Sequence, residues 1–169
     1  MNGLEALVIG TVVVGSTMSP QPKYDESATC LAKNMYYEAR NQGTAGWMAV
    51  TAVVLNRVND DRFPNTICEV VEEGPTRKSW KDPKVKIPVK HRCQFSWFCE
   101  QVYSRVKNKY QWEESVLVAK KALTSEVAHD TLHKEKAMYY HANYVKPNWN
   151  LPKITQIGAH IFYKERNRI

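Results

Sequence analysis

Glu38 is the residue of this chain whose type and position could move a proton. In the stretch around it, Ala28, Leu31, Ala32, Met35 and Ala39 recur at helical spacing and form one apolar stripe. Glu38 falls on the edge of that stripe beside Leu31, while Lys33, Tyr37 and Arg40 take the opposite face. A carboxyl group at such an edge is half buried, and partial desolvation disfavours its charged form and raises its pKa. It can then hold a proton near neutral pH, which is what a general acid requires. Periodicity alone favours a plainer reading, a Glu paired with Arg40 or a nearby Lys at the rim.

Other chemistry-bearing residues cluster later in the chain. Cys93-Gln-Phe-Ser-Trp-Phe-Cys99 reads as a strand that sets aromatic rings beside amide and hydroxyl groups. That combination suits a sugar or a base, although a packed core strand is its commoner origin. His91, Cys93 and Cys99, with one of His133, His141 or His160, offer nitrogen and sulfur donors for a zinc site, but their spacing matches no strong ligand pair. Residues 75 to 92 carry Arg77, Lys78, Lys81, Lys84, Lys86, Lys90 and Arg92 against Asp82 alone, and Lys84-Val-Lys-Ile87 alternates. This predicts a basic β-hairpin or loop, either a solvated insertion or an arm that grips an anionic polymer.

The elements that would hold these residues follow from the pattern. Asp25 or Ser27 is placed to cap the first helix, which runs to about Asn41. A second helix, Ala45 to about Asn59, is apolar almost all round and predicts the central core element, with Asn56 and Arg57 as either a surface turn or buried polar support. Thr66-Ile-Cys-Glu69 reads as a capping box. A third long helix is expected from about Glu113 to Ser125, with Val116, Ala119, Ala122 and Leu123 inward, and strands at Ala137–Tyr140 and Ile157–Tyr163, the latter with a Gly where another group could approach closely.

Composition sets the bounds. A chain of 169 residues that is 43% hydrophobic and 11% aromatic describes one globular domain, residues 25–169, rather than a disordered chain. Residues 1–24 differ: a weakly apolar run from Leu4 to Met18 is interrupted by Glu5 and preceded by no Lys or Arg. It reads either as a marginal export or membrane-tethering segment or as an element packed on the domain. The net charge of +7 points to an anionic partner such as nucleic acid, lipid or an acidic wall. No RNP-like aromatic motif, zinc-finger spacing or Gly-rich phosphate loop is present, which argues against nucleic acid and nucleotides. The cysteines Cys30, Cys68, Cys93 and Cys99 permit disulfides, and Cys93 is expected to pair with Cys68 or Cys99 if the protein works outside the cytoplasm.

Taken in order, six blocks resemble the cell-wall hydrolase family of the spore-cortex-lytic (SleB-type) enzymes and many phage endolysins. They are Met35-Tyr-Tyr-Glu-Ala-Arg40, Ala49-Val-Thr-Ala-Val-Val-Leu-Asn-Arg-Val58, Phe63-Pro-Asn-Thr-Ile-Cys-Glu-Val-Val71, Cys93-Gln-Phe-Ser-Trp97, Ala137-Met-Tyr-Tyr-His141 and Ile157-Gly-Ala-His-Ile-Phe-Tyr163. The resemblance implies an α+β, mostly helical, lysozyme-like fold with a small β lobe that cleaves the glycan strands of peptidoglycan at the bacterial wall, in the periplasm or outside the cell, and it admits a phage origin. Glu38 matches the family's catalytic acid, and Gln94, Phe95, Ser96, Tyr140 and His141 are expected to line the substrate groove. Where the family continues with Gly-Glu, this chain has Asn41-Gln42, and no motif singles out Glu69, Glu72, Glu73 or Glu100 as a second acid. A lone acid fits a lytic transglycosylase, in which the muramic 6-hydroxyl attacks its own anomeric carbon, better than lysozyme-type hydrolysis. Neither scheme calls for a metal or cofactor. The chain shows no wall-binding repeat, and the basic arm is read as taking that role. The rival from another class is a non-enzymatic basic module that binds walls or nucleic acid and in which Glu38 is structural.

Overall fold

Helix α2, Gly43–Val58, is apolar around its circumference, and the structure buries it from two sides. The computed structural model describes residues 24–100, 106–124 and 130–166. The expected export or tethering segment falls outside these, apart from Tyr24. One face of α2 (Trp47, Val50, Val54) packs on α1 (Tyr24–Ala39), α3 (Ile67–Val71), α4 (Ser96–Cys99) and α5 (Lys109–Thr124). Its other face (Ala49, Ala52, Val53) packs on Leu132 of α6 (Asp130–Lys134), Ala137 of β3 (Ala137–Ala142) and Phe162 of β5 (His160–Lys164). One helix thus serves as the shared wall of a helical lobe and a β lobe.

All five stripe residues of α1 are buried, as is Ala119 on α5 with Ala122 beside it. Helix α1 already includes Asp25 and Ser27, so neither is its cap. It ends at Ala39, passes through a 3-10 turn at Arg40–Gln42, and α2 starts at Gly43, whose φ of 63° explains the glycine at this sharp junction. The Ala39 carbonyl is satisfied by the Trp47 indole N–H at 2.9 Å, so α2 completes the end of α1 just past Glu38. Thr66 does cap α3: its hydroxyl accepts from the Glu69 N–H at 3.2 Å and donates to Glu69 Oε2 at 2.7 Å.

Two expected strands are corrected. The segment Cys93–Cys99 is not a strand: Ser96–Cys99 is helical, and Cys93 is joined to Cys99 with their Cα atoms 5.6 Å apart. A strand would separate those Cα atoms by about 20 Å, so the disulfide and an extended segment exclude one another. The second is Ile157–Tyr163, which turns back on itself. Strand β4 (Lys153–Ile157) ends at Gly158, with φ 55°, and β5 returns antiparallel to it, paired on its other edge with β3. The anticipated close approach at the glycine is real: a Cβ there would collide with the Gln42 carboxamide.

The basic segment forms an exposed hairpin, β1 (Thr76–Lys78) against β2 (Lys86–Pro88), with Trp80 82% exposed between them. Its base is clamped by the Cys93–Cys99 disulfide and by the Gln94 N–H donating to the Glu73 carbonyl at 2.8 Å. A second disulfide, Cys30–Cys68, joins α1 to α3. Cys93 therefore pairs with Cys99, the second of its two expected partners.

Candidate active site

Glu38 lies in the last turn of α1, half buried at the rim of the helical lobe, as the stripe predicts. Burial lifts its carboxyl from the ordinary 4.5 to about 7; the Tyr140 hydroxyl opposes this by hydrogen bonding, and the negative charge of Glu100 adds to it. Tyr140 donates to Glu38 Oε2 at 3.3 Å across 102 residues of sequence. Burial, followed by the charge of Glu38, also holds the Tyr140 phenol well above its usual range, so the hydroxyl keeps its proton and donates.

Tyr140 is aimed by its neighbours. Cross-strand pairing places it opposite Phe162, and its ring lies 5.5 Å from that of Phe162, 5.1 Å from His160 and 6.4 Å from Phe95. The start of β3 is pinned by α2. Asn56 Nδ2 donates to the Leu132 and Ala137 carbonyls, and buried Arg57 donates from Nε and Nη2 to the Met138 carbonyl. The Arg57 guanidinium also stacks within 6 Å of the rings of Phe63, Phe95 and Tyr139. Asn56 and Arg57 are therefore buried polar support that fixes the strand carrying Tyr140.

The other expected groove residues separate into three places. Phe95 is 2% exposed and lies beneath Tyr140, in the core rather than at a surface. Gln94 is exposed and opens onto a cavity shared with Tyr140, while Ser96 is exposed at the start of α4. His141 follows Tyr140 on the strand and so points to the opposite face, where it stacks on Tyr163 at 5.3 Å. A strand periodicity of two could have separated this pair in the sequence.

Around Glu38 itself, a cavity of about 250 Å³ is also lined by Tyr37, Arg40, Gln42 and Lys107. Sequence reading gave Lys107 no role, because it precedes α5 and no local pattern ties it to α1. The tie is Tyr36, whose buried hydroxyl accepts the N–H groups of Lys107 and Asn108, both at 3.0 Å. Gln42 Oε1 accepts the Ala159 N–H at 2.7 Å, so Gln42 latches the α1–α2 junction to the β4–β5 turn. Of the zinc-site candidates, Cys93 and Cys99 are bonded to each other and cannot serve as thiolate ligands. His91 instead faces Glu100 at 3.3 Å.

The fold and site define a lysozyme-like α+β domain with one half-buried acid at a helix end, met by a tyrosine from the β lobe. The Cell Wall Hydrolase family matches residues 41–163, and the chain belongs to that family. The spore cortex-lytic enzyme of Oceanobacillus iheyensis is 26% identical over 148 residues, which is 86% of this chain and 44% of that protein. The spore cortex-lytic enzyme of Bacillus subtilis is 27% identical over 135 residues, 78% of this chain and 35% of that one. The chain thus matches less than half the length of these curated relatives. The catalytic domain of the germination-specific lytic transglycosylase SleB from Bacillus anthracis aligns with a TM-score of 0.58 at 26% identity, covering 86% of this chain and 100% of that domain. The Bacillus cereus SleB catalytic domain gives 0.56 at 27% identity, covering 89% and 99%.

Proposed function

We propose that this domain cleaves the glycan strands of peptidoglycan as a lytic transglycosylase, with Glu38 as its general acid and base. The observation that carries the reading is a half-buried carboxyl with its pKa lifted to about 7, hydrogen-bonded by a protonated tyrosine. The family match opens at residue 41, so the role of Glu38 rests on its own geometry and motif. The likeness to a domain whose title names it a lytic transglycosylase supports the reaction type.

The steps follow from one group used twice. Protonated Glu38 gives its proton to the bridging oxygen as the bond from the muramic anomeric carbon breaks, releasing the next sugar with a free hydroxyl. The ring left behind is oxocarbenium-like, and carboxylate Glu38 now accepts the proton of that ring's 6-hydroxyl as the oxygen bonds to the anomeric carbon. Glu38 regains its proton, no water is consumed, and the product carries a 1,6-anhydro end. A pKa near the working pH suits both halves, since neither the acid nor the base form is scarce. The tethered hydroxyl removes the need for a second carboxylate or a bound water. Tyr140 steadies the carboxyl in its ionised half-cycle.

Lysozyme-type hydrolysis of the same bond is the second reading, and Glu100 is what favours it, being the acid whose charge reaches Glu38. Glu100 is exposed and paired with His91, which suits an electrostatic neighbour better than a nucleophile. The basic hairpin is the arm that holds the anionic wall, and the two disulfides fit a protein working outside the cytoplasm. Mass spectrometry of fragments released from purified walls tests the reaction: anhydro-muramic ends, lighter by one water, are expected. Fragments with only reducing ends would overturn transglycosylation, and the absence of any released fragment would leave a basic binding module.

A further inference from the structure

We infer that the outer face of β3 and the loop at 143–151 form a sugar subsite, linked to Glu38 through Tyr140, which takes an N-acetylhexosamine ring of the glycan strand; this rests on the glycan-cleaving reading above. The starting observation is Trp149, which is 44% exposed yet held by three rings. Tyr139 lies 6.1 Å from it at 60°, His141 5.5 Å at 77° and Tyr163 5.9 Å at 89°. These supports are themselves fixed. His141 Nδ1 meets the Ala142 carbonyl at 2.8 Å and its Nε2 meets the Tyr163 hydroxyl at 2.9 Å, while the Tyr139 hydroxyl donates to Glu165 at 2.8 Å. The loop is tied down in turn by Arg166, which donates to the Asn150 carbonyl at 2.6 Å.

A surface tryptophan that only filled space would need no such scaffold. A rigid, partly open indole is a preorganised stacking platform, because the ordering cost is met before a ligand arrives. It lines a cavity of about 500 Å³ with Gln94, Asn148, Asn150 and Tyr140, large enough for a pyranose ring. Among the described residues, none that lines this cavity is charged. Carboxamides bond to hydroxyl and acetamido groups, and the indole covers the C–H face of a sugar, so the occupant is the neutral glycan and not the anionic stem peptide. Tyr140 lines this cavity and also donates to Glu38, so one residue of β3 links the subsite to the acid. His141 is then a positioning residue that acts through Trp149, one layer behind the substrate.

The probe is a peptide-free glycan tetrasaccharide of the peptidoglycan repeat, titrated by calorimetry into the Glu38→Gln protein, which leaves the ligand intact. Adding Trp149→Ala is expected to raise Kd at least tenfold in protein that remains folded by circular dichroism, with Trp149→Phe recovering most of the loss. Adding His141→Ala is expected to weaken binding less than Trp149→Ala does. An unchanged Kd in the Trp149→Ala protein, or no binding by the Glu38→Gln parent, would overturn the subsite. Release of fragments from walls by the unaltered protein reads the reaction separately, so a failed subsite and a failed activity give different patterns.

Discussion

Replacing Glu38 by Gln should make the protein more stable at alkaline pH while removing its activity. A carboxyl whose pKa is 4.5 when unfolded and about 7 when folded is harder to ionise in the folded protein. Below pH 4.5 both states are protonated and the group costs nothing. Between 4.5 and 7 the unfolded chain has released its proton and the folded one has not, so each rise in pH favours unfolding; above 7 the penalty is complete. A shift of that size corresponds to about 3 kcal/mol. Glutamine has nearly the same shape and no charge to bury, so the variant lacks this loss. The assay is urea unfolding of both proteins at pH 4.5 and pH 8.5, taken as a double difference so that all other titrating groups cancel. Glu38→Gln should gain about 3 kcal/mol relative to the native protein on going from the acid to the alkaline buffer, while wall-lytic turnover falls by at least about a hundredfold. Parallel pH dependences for the two proteins would show that Glu38 is not desolvated, and retained turnover in the folded variant would show that it is not the acid.

Four further outcomes follow, two from the same site and two from the disulfides and the basic hairpin. Tyr140→Phe removes a hydrogen bond that favours the carboxylate, so the alkaline limb of the kcat/KM profile should move up by about 0.7 of a pKa unit for a bond worth about 1 kcal/mol; no movement would deny the contact. Glu100→Gln removes a repelling charge, so that limb should move down with turnover preserved, whereas a hundredfold loss of turnover would make Glu100 a reacting group. Removing Cys30–Cys68 by a double Ala substitution should cost about 4 kcal/mol and removing Cys93–Cys99 about 2 kcal/mol, because the first closes 38 residues and the second 6; equal losses by chemical denaturation would contradict this. Neutralising Lys84, Lys86 and Lys90 together should weaken wall binding and its salt dependence more than turnover of bound substrate, as exposed charges act over about 8 Å at physiological ionic strength. Unaltered wall binding would make the hairpin a passive insertion.

What this sequence determines by itself is whatever depends on neighbours in the chain. The stripe of α1, the all-round apolarity of α2, the inner face of α5, the Thr66 cap and the exposed basic hairpin are set by residues within a turn or two of each other, and the half-buried edge position of Glu38 is one of them. The chemistry of Glu38 is decided at long range: its hydroxyl partner comes from β3, aimed by Phe95 and Phe162 and held in register by Arg57 and Asn56. Local pattern misplaces Cys93–Cys99 because a disulfide between its ends overrules the strand propensity of its aromatic residues. It misses the break at Gly158 because a positive φ is invisible until Gln42, from the helical lobe, needs the room. The rings that hold Trp149 come from β3 and β5, and only antiparallel pairing, which sends alternate side chains of β3 to opposite faces, brings them together and divides Tyr140 from His141.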